Sequence, residues 1–167
     1  MAVRLAIFDC DRTLWDHHNV SDLRLPFRKL DEDTVEDAGG IQVRLFPGVR
    51  QVLQVLREQG VLCSIASWNQ PEPVAAILDL LGLSGYFTHA KVEFHPYKER
   101  MIGALLDELT AEGVVIWPED VLFVDDRIVH LNRVRRMVGP VQTLQSGVDF
   151  TDFRDVLRAV GITGAVP

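Results

Sequence analysis

The sequence holds only two cysteines, Cys10 and Cys63, and no CxxC pair. Neither a disulfide framework nor a zinc knuckle is therefore expected. No apolar run approaches the roughly 18 residues that a membrane span requires. The opening Met1-Ala2-Val3-Arg4 has no basic stretch followed by a long apolar one, so no secretory leader is expected. Basic residues are in deficit, 17 Lys and Arg against 24 Asp and Glu, for a formal net charge of −7. A surface of that sign repels phosphate backbones, which argues against a nonspecific DNA or RNA binder. Repeats and low-complexity tracts are absent as well. What is present is a chain of 167 residues, 47% hydrophobic, long enough to bury a core unaided. The expectation is one cytoplasmic domain covering residues 1–167, with no membrane contact; the sequence assigns no oligomeric state.

Apolar runs of strand length alternate with segments of helical period. Strands are predicted at Val3 to Phe8, Val61 to Ala66, within Phe87 to Phe94, at Val121 to Val124 and at Val141 to Leu144. Between them, helices are predicted through Val49 to Leu56, Val74 to Leu81, Met101 to Leu109 and Val129 to Met137, with a last one around Phe153 to Val160. This alternation predicts an α/β fold, a doubly wound parallel sheet with helices on both faces and right-handed crossovers. Ligands in such folds bind outside the carboxyl ends of the strands.

One interval breaks the pattern. Between Trp15 and Phe46 lie about thirty residues of little periodicity, including an acidic stretch, Asp31 to Asp37, with five carboxylates in seven positions. A long irregular connection inside a small domain is a functional loop, a lid or a surface excursion. It is expected as a flap or loop insertion at about residues 16–46.

The strand ends gather the chemistry. Asp9 and Asp11 follow the first strand with Thr13 two further on, Ser67 follows the second, and Asp125 and Asp126 follow VLFV; Lys98 opens a helix after His95-Pro96-Tyr97. Taken singly, each has an ordinary reading: DxD and DD occur in turns and caps, Ser67 suits a helix cap, and Lys98 suits a solvated helix face. Taken together, both acidic pairs end buried strands and must converge on one sheet edge. Carboxylates so crowded repel one another, and raised pKa values or a bound cation relieve them. Hard oxygen donors with no His or Cys cluster favour magnesium. Magnesium can clamp a phosphate oxygen, Lys98 supplies a second positive charge, and the Ser67 hydroxyl a hydrogen bond. One aspartate could then attack phosphorus while a carboxylate two residues away handles protons.

AIFDCDRTLW, SIAS, the lone downstream Lys98 and LFVDD resemble the four ordered motifs of the haloacid dehalogenase superfamily of phosphatases. The resemblance spans about Val3 to Leu144. DxDxT followed by Leu-Trp, with Val43-Arg44-Leu45-Phe46-Pro47 before the first long helix, is most similar to the magnesium-dependent phosphatase branch, whose cap is minimal. That resemblance implies a Rossmann-like core and hydrolysis of phosphomonoesters with Mg2+ as cofactor. It implies Asp9 as nucleophile and metal ligand, and Asp11 as general acid/base that lends the metal its carbonyl. Thr13 would brace the nucleophile loop, and Ser67 and Lys98 would hold the phosphoryl group. Asp126 would be the main metal ligand of the last motif, with Asp125 beside it, and the Cys10 amide would face the phosphate. The substrates it implies are a phosphorylated small molecule such as a sugar phosphate, or protein phosphotyrosine.

Two positions depart from the branch pattern. His130 stands where asparagine is usual, with Asn132 two residues on as a possible substitute, and Trp68 follows the motif-two serine where a basic residue is usual. His130 is expected to be a structural helix residue, and Trp68 to favour a flat or apolar leaving group or to pack on the flap. Tyr97 is a further rim candidate. The alternatives are a transferase of the same superfamily of the glyceryl-loading kind, a phospho-accepting receiver-like signalling domain, and a catalytically silent scaffold.

Overall fold

The structure, a computed structural model, describes residues 2–162. Strand β1 (Leu5–Phe8) leads into three short strands, β2 (Arg28–Asp31), β3 (Thr34–Glu36) and β4 (Gln42–Arg44). There follow α1 (Val49–Glu58), β5 (Leu62–Trp68), α2 (Pro71–Leu80), β6 (Lys91–Glu93), α3 (Lys98–Ala111), β7 (Val121–Asp125), α4 (Ile128–Met137), β8 (Gln142–Gln145) and α5 (Val156–Ala159). The main sheet has the order β6-β5-β1-β7-β8 and every pairing in it is parallel. Counted among its own five strands this is 3-2-1-4-5, the doubly wound order whose direction reverses at the first strand. A receiver domain has its first strand in a different place, 2-1-3-4-5, so that alternative is excluded by topology.

The continuous apolar runs of β1 and β7 exist because both faces of the sheet are covered. Ala6, Phe8, Leu122 and Val124 point to one side, against Val49, Val52, Leu53 and Leu56 of α1. Leu5, Ile7, Val121 and Phe123 point to the other, against Met101, Ile102, Leu105 and Leu109 of α3 and Leu131 and Val134 of α4. Helix α1 starts from Gly48 at φ 89°, where a Cβ would lie 2.9 Å from Cγ of Arg154, so both the backbone and the space call for glycine.

Three expectations are corrected. The interval from Trp15 to Phe46 is not irregular: β2, β3 and β4 form an antiparallel meander, and its Val20, Leu23, Phe27, Val35 and Val43 are buried in the same core as Phe8. The acidic stretch is solvated only in its first half, Asp31, Glu32 and Asp33. Asp37 is buried and accepts from the N–H groups of Arg24, Gly39 and Ile41, Glu36 pairs with Arg28, and Asp33 with Arg50. The final helix is a 3-10 turn, Phe153–Asp155, followed by the single turn of α5.

Candidate active site

Strands β1 and β7 are neighbours in register, Phe8 beside Val124, so the residues that follow them meet at the reversal point of the sheet. The Asp9 N–H donates to the Val124 carbonyl at 2.9 Å, prolonging the ladder by one bond. The chain then turns sharply. Thr13 and Leu14 both donate to the Cys10 carbonyl, at 3.1 and 2.9 Å, and Arg12 takes a left-handed φ of 59°. Asp9, Asp125 and Asp126 thereby bring carboxylate oxygens within 4.8 Å of one another.

Lys98, the first residue of α3, is driven straight into this cluster. Its Nζ donates to Asp9 Oδ1 at 2.9 Å, to Asp125 Oδ2 at 2.9 Å and to the Ala66 carbonyl at 2.7 Å, and the residue is 1% exposed. A lysine at that depth is held charged by its partners: burial alone would lower its pKa, and Asp9 and Asp125 outweigh that and raise it. Burial and the neighbouring Asp125 push Asp9 well above the usual carboxylate range, against the pull of Lys98. Asp126 is raised for the same reasons, burial and then Asp125. The cluster carries more negative charge than one lysine offsets.

Asp11 is kept apart from that crowd. Its Oδ1 accepts from the Trp15 indole N–H at 2.9 Å and from Val20 N–H at 3.3 Å, and its Oδ2 from the Asn69 amide at 2.9 Å. Asn69 also donates to Ser67 Oγ at 3.0 Å and accepts from the Ser21 hydroxyl, tying the segment before β2 to the end of β5. Ser67 is fully buried at that strand end. Thr13 reaches Asp9 Oδ2 at 3.5 Å, a long contact beside the nucleophile candidate.

The carboxylates and Lys98 line a cavity of about 350 Å³ whose outer wall is His18, Asn19, Trp68, Phe94, Arg127 and His130. Sequence reasoning singled out Asp9, Asp11, Lys98, Asp125 and Asp126, and all five border this cavity. Ser67 and Thr13 are buried outside its lining: Thr13 reaches Asp9, and Ser67 accepts from Asn69, which in turn holds Asp11. His130 is buried on α4 and its ring meets that of Trp68 edge-on at 6.4 Å, so it is both a helix packing residue and part of the cavity wall. Asn132 does not substitute for it: it is exposed, and its side-chain oxygen accepts from Arg135. Tyr97 lies outside the cavity lining, with the guanidinium groups of Arg100 and Arg133 at 4.5 and 5.3 Å from its ring centroid.

Asn69, Trp15 and Arg127 were missed in the sequence. Asn69 stands two places after Ser67, at a strand end that the rule for parallel sheets already marks for inspection.

The donor set suits a hard divalent cation. Three carboxylates converge with no His or Cys among them, which matches the oxygen preference of magnesium and not the nitrogen and sulfur preference of zinc.

A profile of the acid phosphatase family matches residues 2–160. The chain belongs to that family. It is also 38% identical over 90 residues to human magnesium-dependent phosphatase 1, a match covering 53% of this chain and 51% of the human protein. The match thus spans about half the length of that curated relative. Among solved structures, a haloacid dehalogenase superfamily hydrolase from Ehrlichia chaffeensis superposes with a TM-score of 0.64 at 14% identity, covering 96% of this chain and 97% of its own. A phosphatase domain from Bacteroides fragilis, solved with magnesium, gives 0.62 at 14% identity over 99% of this chain and 41% of its own. These two likenesses show the fold alone: this acid phosphatase family member has a Rossmann-like core of the same architecture.

Proposed function

We propose that this protein is a magnesium-dependent phosphomonoester hydrolase that works through an aspartyl-phosphate intermediate on Asp9. The observation that carries the reading is the division of labour among carboxylates. Asp9, Asp125 and Asp126 crowd around one lysine, while Asp11, two residues from Asp9, is held separately by Trp15, Val20 and Asn69.

In the proposed reaction, a carboxylate oxygen of Asp9 attacks phosphorus and the bond from phosphorus to the ester oxygen breaks. Asp11 gives its proton to the departing oxygen. In the second step Asp11 takes a proton from water, water attacks phosphorus, and inorganic phosphate leaves Asp9 restored. Lys98 holds the Asp9 carboxylate in place and offsets the charge of the phosphoryl oxygens. Thr13 braces the Asp9 loop, and Ser67 fixes Asn69 and with it Asp11. Asp9 and Asp126, the Asp11 carbonyl and Asp125 alongside would hold magnesium. When bound, the ion supplies positive charge to the phosphoryl oxygens and to the crowded carboxylates.

The reading includes one cytoplasmic domain over residues 1–167, with residues 16–46 as its flap. The free, buried state of Cys10 and Cys63 agrees with a reducing compartment, and no helix among the described residues is long and apolar enough to cross a membrane. The substrate is proposed to be a phosphoester with a flat leaving group, since Trp68 and Phe94 stand exposed at the mouth beside His130. Sugar phosphates and phosphotyrosine compounds are the two classes to compare. The test is phosphate release from both classes by wild-type protein and Trp68→Ala. Selective loss of turnover on the aromatic esters is expected, and equal turnover on both classes in both proteins would contradict the flat-substrate assignment.

A further inference from the structure

A second cavity, of about 340 Å³, lies beside the catalytic one and shares only Asp126 with it. Its wall is aromatic. Phe150 and Phe153, both buried, meet edge-on at 5.9 Å, and Phe46 completes the apolar surface. Thr151 adds a hydroxyl, and Arg12 is the one cation on the wall.

Arg12 is the unusual member. It occupies a left-handed φ of 59°, a conformation that favours glycine, yet it carries a long cationic side chain. Its backbone is fixed on both sides, its N–H donating to the His17 carbonyl and its own carbonyl accepting from the Ser146 hydroxyl. Its guanidinium makes no hydrogen bond or ion pair among the described residues. The catalytic cluster does not use it. Asp126, on the shared boundary, keeps its carboxylate within 4.8 Å of those of Asp9 and Asp125, and Arg12 is the one positive charge facing this second cavity. Three phenylalanines facing a set of polar groups, Thr13, Ser146 and Thr151 with the Arg12 cation and the Asp126 carboxylate, give a small-molecule site an apolar bed and a polar end.

We propose that this cavity is a second ligand site, taking an aromatic monoanion whose ring lies against Phe46, Phe150 and Phe153 and whose acid group meets Arg12. The ligand class is a one- or two-ring carboxylate or its sulfonate counterpart, both sharing a flat apolar body and a single negative charge. The site stands independently of the hydrolase reading, because none of its aromatic residues takes part in that chemistry.

The test is titration of the protein with 2-naphthoate by calorimetry, with neutral 2-naphthalenemethanol as the control. Saturable binding of the anion is expected, weaker by about tenfold or more for the neutral control and in Arg12→Gly, as loss of a charge-assisted contact requires. Glycine suits the backbone at that position, so the variant keeps the fold. Thr151→Trp, at an exposed rim position, fills the cavity and is expected to abolish binding, giving a second readout should Arg12→Gly fail to fold. Trp68→Ala, in the catalytic cavity, is expected to leave the affinity unchanged. No saturable binding at millimolar anion, unaltered affinity in Arg12→Gly, or an equal loss in Trp68→Ala would overturn the proposal.

Discussion

Asn69 joins three parts of the site through one amide: it donates to Asp11 and to Ser67, and accepts from Ser21 ahead of β2. Its removal should therefore act on proton transfer through the position of Asp11. Asn69→Ala is expected to lower kcat by about tenfold or more, the worth of a hydrogen bond to a charged group, with KM changed less. Steady-state kinetics against a common phosphomonoester checks the split; a raised KM with kcat unchanged would place Asn69 in substrate binding instead. Asp11→Asn should cost about two to four powers of ten in kcat, the usual contribution of a general acid/base. Lys98 acts on stability as much as on chemistry. Its replacement by alanine leaves Asp9 and Asp125 buried without their cation, a change expected to cost about 3–5 kcal/mol, read by denaturant unfolding.

At the scale of elements, the meander β2–β4 is where stability depends on an acidic side chain. Three backbone N–H groups, of Arg24, Gly39 and Ile41, converge on Asp37 and hold its carboxyl below the usual carboxylate range. A carboxylate whose pKa is depressed by folding stabilises the protein above its unfolded pKa, and that stability is lost as pH falls through the folded value. Asp37→Asn should therefore lower Tm clearly at pH 7, and the gap to wild type should narrow as the pH falls below about 4. Thermal unfolding across pH measures this, and a gap independent of pH would show that the carboxylate charge is not what holds the loop.

The same meander shows where sequence reading stops. The runs VRLAIF and VLFV announce buried parallel strands because both of their faces are covered, and the strand-end rule then leads directly to Asp9 and to Asp125 and Asp126. In β2 all four residues are exposed, and β3 and β4 each turn few residues inward, so no period emerges over such short pieces. Asn69 and Trp15 were invisible for another reason: their roles come from contacts across 58 and 4 residues that spacing in the chain does not encode. His130 was legible as a helix packing residue, whereas its place on the cavity wall depends on how α4 meets Trp68.

On the scale of the whole molecule, a parallel sheet with two covered faces supports a site at its reversal point and buries Asp9, Lys98 and Asp125 at the floor of the cavity. Excess negative charge in that cluster makes the folded protein a better ligand for magnesium than the unfolded chain. Magnesium at about one hundred times its dissociation constant should accordingly raise stability by about 2.7 kcal/mol, seen as a concentration-dependent Tm that EDTA reverses. Asp126→Ala should flatten that dependence and lower activity with it; an unchanged magnesium shift in the variant would remove Asp126 from the ligand set.

The most direct test of the central claim is release of inorganic phosphate from para-nitrophenyl phosphate by wild-type protein and by Asp9→Asn, each with magnesium and with EDTA. The account predicts turnover only in wild-type protein with magnesium, and none above background in the other three conditions. Turnover by Asp9→Asn near the wild-type rate, or wild-type turnover undiminished by EDTA, would contradict it.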